Sequence, residues 1–240
     1  NTLFRLPPTP STNEAADVTF SASMGYGCAG HLQFMRFKRY IGIDYSGAAT
    51  PESRLPGLRV YEASRESKPV EIKNPCAKGA HWSRRAVAEW LLSRLKDESP
   101  SLVGIDHSFS FPLRYFETHG IRKDWSAFLD DFCDHWPTAE RGVSVESVRA
   151  GGTGLGGLRA GSAEWGGVAK STHAGIPWLR HLRKHLGHAL HFWPFDGWEP
   201  AVGKSVLAEI YPSLWSADYP SEGRTADQQD AFAAAAWMRE

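Results

Sequence analysis

No stretch of the chain is apolar for the length that a membrane-spanning helix requires, so a soluble chain with no membrane partner is expected. Cysteine is scarce. Cys28, Cys76 and Cys133 are an odd number with no metal-ligand spacing, which argues against a disulfide frame and a zinc site. Reduced thiols in a reducing compartment, the cytoplasm, are the expectation. Net charge is also missing, with 27 Lys and Arg against 27 Asp and Glu. The overall field therefore does not gather nucleic acid non-specifically, although a local basic groove stays open. The glycine-rich run Gly151–Gly157 is followed by no Gly-Lys-Ser/Thr, so it is not a phosphate loop; it reads as flexible, a candidate substrate-ordered lid within a stretch running to about Thr172. Residues 1–37 lack a sustained period and a secretory pattern. They read as a disordered leader or a mis-assigned start, with Met35 a natural start, and the sequence stops at Glu240 inside what reads as an unfinished helix.

What is present is enough apolar residue, 42% of the chain, to build a core, and a pattern of alternating elements. Tyr40–Tyr45 is short, β-branched and bounded by Ser-Gly, which predicts a buried strand. Leu58–Ser64 and a short piece near Val70 predict two more, as an antiparallel meander. Ser83 caps a helix running to Lys96, with Val87, Trp90, Leu91 and Leu95 as its stripe. Leu102–His107 then predicts a strand parallel to an earlier one. Trp125–Trp136 reads as a helix, as does a segment opened by Pro177 with Trp178, Leu179, Leu182 and Leu186 inward. Ala189–Trp193 is a candidate strand, Val206–Tyr211 a firm one, and an Ala-rich helix begins at Thr225. The whole predicts an α/β fold, with residues 38–240 as one domain.

An internal echo carries the chemistry. Residues 40–46 read Tyr-Ile-Gly-Ile-Asp-Tyr-Ser and residues 102–108 read Leu-Val-Gly-Ile-Asp-His-Ser. Each strand ends on Asp, at Asp44 and Asp106, with Gly42 and Gly104 on the same face as the Asp that follows. On neighbouring strands the two would meet at the carboxyl ends, where open α/β sheets bind ligands. The competing reading makes each Asp a turn residue or helix cap. Glu209 stands in an otherwise apolar strand, where a carboxylate is costly unless paired, hydrogen-bonded or bound to a cation; on an edge strand it would simply face water. Asp227 and Asp230 share one face of the last helix. Asp227 also fits a cap or a dipole partner, whereas Asp230 is a turn further in, and Ala231 and Ala233–Ala236 would let that helix lie close to a sheet. Converging carboxylates need cations at neutral pH, and hard oxygen donors suit Mg²⁺ or Mn²⁺.

The motifs Ile41-Gly-Ile-Asp44-Tyr-Ser-Gly, Val103-Gly-Ile-Asp106-His-Ser-Phe-Ser-Phe-Pro112, Glu209-Ile-Tyr-Pro212 and Asp227-Gln-Gln-Asp230-Ala together resemble a widespread domain-of-unknown-function family described as predicted nucleases with an RNase H-like fold. The last helix is also similar to that of RuvC-type resolvases. The resemblance covers residue 39 onwards. It implies an RNase H-like mixed five-stranded sheet flanked by helices. It also implies two-metal-ion hydrolysis of DNA or RNA phosphodiesters, with nucleic acid as the partner. Under it, Asp44 would bridge both ions, Asp106 and Glu209 would hold one each, Asp230 would complete the second, and Asp227 would be an outer ligand. The attacking water would be metal-bound.

Other features carry two readings each. Arg180, Arg183 and Lys184, with His181 and His185, are candidate phosphate contacts or a solvated helix face. His107 is a candidate proton shuttle or a structural histidine. The aromatics of His191–Trp198 suit base stacking, but core and turn suit them better. Ile43-Asp-Tyr-Ser-Gly-Ala also resembles the first phosphate loop of actin-like-superfamily kinases. No second such loop follows, which places an ATP-dependent kinase below a nuclease. A non-catalytic binding module on the same fold is the third option.

Overall fold

The computed structural model describes residues 37–75, 81–97, 99–135 and 168–240. Its elements, in chain order, are β1 (Arg39–Asp44), β2 (Arg59–Ser64), β3 (Val70–Glu71), α1 (Arg84–Arg94), β4 (Ser101–Asp106), α2 (Leu113–Thr118), α3 (Trp125–His135), α4 (Val168–Leu186), β5 (Leu190–Trp193), β6 (Ser205–Glu209) and α5 (Ala226–Arg239). The strands form one mixed sheet in the order β3-β2-β1-β4-β6-β5. β1, β2 and β3 are an antiparallel meander, while β4 runs parallel to β1, and β6 and β5 continue the parallel part. The resemblance implied five strands. The sheet has six, because Leu190–Trp193 pairs along β6 and forms the outer edge.

Period-two alternation sorts the strands between two faces. Ile41, Ile43, Val60, Val103, Ile105 and Leu207 join the main core with Val87 and Leu91 of α1, Phe128 and Phe132 of α3, and Ile176, Leu179 and Leu182 of α4. On the other face Tyr61 packs with Ala231 and Ala235 of α5. Helices therefore cover both sides of the sheet, as parallel strands require. Ser83 is the cap of α1, its side chain accepting from the Ala86 amide, as its sequence position predicts. Trp125 anchors α3, its indole N–H donating to the Phe109 carbonyl at 2.8 Å.

Pro177 does not open its helix. It lies inside α4, which already runs from Val168. Proline inside a helix forfeits one backbone bond and crowds the preceding turn. Tertiary packing offsets that cost here, since Ser171 through Ile176 are all buried. Thr172, expected to end a flexible stretch, lies instead inside this helix. Residues 1–36, the Gly151–Gly157 run, Cys28 and Cys76 lie outside the described residues, whereas Cys133 is half-buried and forms no disulfide. Among the described residues, no helix is long and apolar enough to cross a membrane.

Candidate metal centre

β1 and β4 are adjacent and parallel, and their register pairs Gly42 with Gly104 and Asp44 with Asp106. The echo in the sequence is thus a juxtaposition in space, at the carboxyl ends of two neighbouring strands. The glycines explain why helix α5 can approach. A Cβ on Gly42 would come within 2.3 Å of the Ala231 carbonyl oxygen and 2.6 Å of the Ala235 nitrogen. A Cβ on Gly104 would meet the Ile210 side chain at 2.8 Å and the Met238 sulfur at 3.0 Å. Helical spacing of four puts Asp227, Ala231 and Ala235 on one row and Asp230, Ala234 and Met238 on the next. The Ala and Met members of both rows rest on the strand glycines. One helical turn (about 5.4 Å) roughly matches the two-residue step from Gly42 to Asp44 (about 6.6 Å). Asp227 and Asp230 are therefore carried to the level of Asp44.

Thr225, not Asp227, caps α5. Its side chain accepts from the Gln228 amide while Gln228 bonds back to the Thr225 amide. Asp227 lies beside Gly57, whose Cβ position is 3.6 Å from an Asp227 carboxyl oxygen.

Glu209 approaches from elsewhere. The β4–β6 register aligns it with Ile105 rather than Asp106, so it leaves the sheet on Ile105's side. Ile210, its neighbour, sits on the glycine side against Gly104. Both oxygens of Glu209 have a donor. The Phe109 amide donates to Oε2 at 2.9 Å, and the Tyr211 hydroxyl donates to Oε1. Ser108 Oγ lies 3.4 Å from the Tyr211 hydroxyl, and the Ser108 amide donates to Thr172 Oγ1 of α4 at 3.0 Å.

All five carboxylates are half-buried. Among the described residues, none of them forms an ion pair with Lys or Arg. Partial burial, followed by the charges of Asp106, Asp227 and Asp230, raises the Asp44 carboxyl to about 8. Burial, then Asp230 and Glu209, raises Asp106 to about 6. Glu209 is raised by burial as well, against the lowering effect of its donors Tyr211 and Phe109. Asp106 is therefore the group whose charge meets both Asp230 on one side and Glu209 on the other. Among the described residues, no three Asp, Glu, His or Cys side chains are already drawn together as the ligand set of one ion. The donor set nonetheless fits a hard divalent cation: only oxygen donors, sharing negative charge that no basic side chain offsets.

Other candidates resolve into structure. His107 is fully buried against Tyr45 and Phe109, with its ring filling the space where a Gly175 side chain would be. Its Nδ1 bonds the Ser108 carbonyl, and burial lowers its pKa to about 4. A neutral packing residue is a better description of it than a shuttle. Arg180 and Lys184 pair with Asp130 of α3, and Arg183 pairs with Asp196 while lying over Trp125 and Phe192. These pairs tie α4 to α3 and to the turn after β5. The Trp125, Phe192 and Phe195 rings pack with one another, as core and turn predict.

Two groups beside the centre are given no role by the sequence, although Tyr211 falls within the Glu209-Ile-Tyr-Pro212 motif. Arg84, fully buried in the first turn of α1, donates to the carbonyls of Ser46, Ala48 and Ala49 and braces the loop after Asp44. Tyr211 reaches back to Glu209. An Arg in a helix first turn reads as a surface residue, and a Tyr two residues beyond a Glu reads as alternation. No family model, curated protein or solved structure matches this chain.

Proposed function

We propose that the chain is a metal-dependent nuclease hydrolysing phosphodiester bonds of DNA or RNA, with Mg²⁺ or Mn²⁺ held by Asp44, Asp106, Glu209 and Asp230 and with Asp227 as an outer ligand. The observation that carries the reading is the in-register pairing of Asp44 with Asp106 beneath the helix that brings Asp227 and Asp230 to the same strand ends. Carboxylates arranged to repel one another, with no basic partner, are costly unless a cation offsets them. Hard divalent ions held by these carboxylates would supply activation of water and stabilisation of the leaving oxygen of a phosphodiester. The resemblance of the four motifs to RNase H-like predicted nucleases supports the same chemistry.

The protein's own part is to hold the carboxylates. Asp44, Asp106 and Asp230 form the side under α5, and Glu209 forms the other. Asp106, whose charge meets both sides, is better placed than Asp44 to be the shared ligand. No side-chain base is required, and neutral buried His107 does not supply one.

The test is cleavage of single-stranded, duplex and junction DNA and RNA with Mg²⁺ or Mn²⁺. Activity should vanish in chelator and in Asp44→Asn. Cleavage that survives either change overturns the assignment. ATP binding by the purified chain would instead favour a kinase.

A further inference from the structure

Glu209 differs from the other four carboxylates in its surroundings. Both of its oxygens already receive a hydrogen bond, from the Phe109 amide and the Tyr211 hydroxyl, and Ser108 supports that hydroxyl in turn. Ser108 is itself fixed to Thr172 of α4. The four aspartates receive no such bond from any side chain among the described residues. Resting on the metal-centre reading above, we infer that Tyr211 is a positioning residue: it holds Glu209 in the one orientation from which it completes the ion site it shares with Asp106.

Glu209 leaves the sheet on the side opposite Asp44 and Asp106, so its carboxyl reaches them only around the strand end. A glutamate has three rotatable side-chain bonds, and free rotation would spread its carboxyl over many positions. The Phe109 amide fixes one oxygen and the Tyr211 hydroxyl the other. Each carboxylate oxygen has two lone pairs, so both donors leave a lone pair free for a cation. Tyr211 is 38% exposed, at the rim rather than in the core, so losing its hydroxyl removes the bond without opening a cavity. Partners of this kind commonly account for about 10- to 100-fold in metal affinity.

Mn²⁺ titration by calorimetry tests this on the full chain and on Tyr211→Phe, Glu209→Gln and the double variant, with the melting temperature of each measured in chelator. Expected is about a tenfold weaker Mn²⁺ affinity in Tyr211→Phe, an unchanged melting temperature, and no further loss when Tyr211→Phe is added to Glu209→Gln. Unchanged affinity in Tyr211→Phe overturns the role of Tyr211 and leaves the metal centre standing. So does an equal loss in the Glu209→Gln background, or a loss matched by a lower melting temperature. A wild-type chain that takes up no Mn²⁺ at millimolar concentration overturns the metal centre itself and this inference with it.

Discussion

The backbone of Gly42 lies directly beneath Ala231: a Cβ on Gly42 would stand 2.3 Å from the Ala231 carbonyl oxygen. That contact sets the height of α5 over the sheet and so the position of Asp227 and Asp230. Gly42→Ala forces backbone against backbone, which neither element can relieve by changing a rotamer. A loss of about 3 kcal/mol or more is expected, at the upper end of overpacking costs. At Gly104→Ala the nearest atoms belong to the Ile210 and Met238 side chains rather than to backbone, so the cost should be smaller, about 1–2 kcal/mol. Urea denaturation of both variants checks the order; a Gly42→Ala chain as stable as wild type would refute the close approach.

How much of this was legible depended on whether a residue acts through its own strand or through a distant one. The meander, β4 and the capped α1 follow from local alternation and from Ser83, and they appear where the sequence placed them. The echo of Gly-Ile-Asp was readable because both copies do the same job on adjacent strands. The start of α4 is not legible because Ser171, Thr172 and His173 form no apolar stripe; Ser171 lies against Gly47, Thr172 accepts from the Ser108 amide and His173 packs on Phe132, all partners far off in the chain. Gly47 shows this plainly, since its Cβ would strike the Lys170 carbonyl at 2.0 Å, a contact no local pattern encodes. Glu209 was found as a polar residue in an apolar strand. Its approach from the Ile105 side needed the register of β6, which sequence does not specify.

Arg84 makes a prediction about the loop that follows Asp44. Its guanidinium is buried and takes the carbonyls of Ser46, Ala48 and Ala49, with Ala49 in the left-handed region at φ 49°. Arg84→Met keeps most of the volume but leaves those carbonyls without their donor. The expected loss is about 3 kcal/mol. Arg84→Lys should recover only part of it, because a point ammonium cannot reproduce the planar fork. Denaturant midpoints of the pair check this. Equal stability of Arg84→Met and wild type would show that the loop does not depend on Arg84.

Arg183 separates a structural cation from a substrate contact. It pairs with Asp196 and lies over the Trp125 and Phe192 rings, 5.2 and 5.4 Å from their centroids. Arg183→Ala should lower stability by about 1–2 kcal/mol through lost packing and pairing. Under the proposed function, the salt dependence of nucleic-acid binding should not change with it. A shallower salt slope in the variant would return Arg183 to the substrate face.

The strongest pH signature belongs to Asp44. Its carboxyl is raised from 3.8 to about 8 in the folded chain, and that of Asp106 from 3.8 to about 6. A folded-state value above the unfolded one means the unfolded chain gives up the proton first. The stability these groups contribute is present below about pH 4 and is lost as pH rises through 6 and then 8. In chelator the chain should therefore lose on the order of a few kcal/mol between pH 5 and pH 8. Asp44→Asn cannot ionise, so it should flatten that slope and melt at a higher temperature than wild type at pH 8. Mn²⁺ should reverse the order, stabilising wild type more as pH rises, because ion binding must displace the protons that Asp44 and Asp106 retain. Calorimetric melting of both chains at pH 5 and pH 8, in chelator and in Mn²⁺, gives all four comparisons. An Asp44→Asn chain less stable than wild type at pH 8 in chelator would mean that Asp44 is held by favourable partners and not by its repelling neighbours, and the electrostatic basis of the centre would fail.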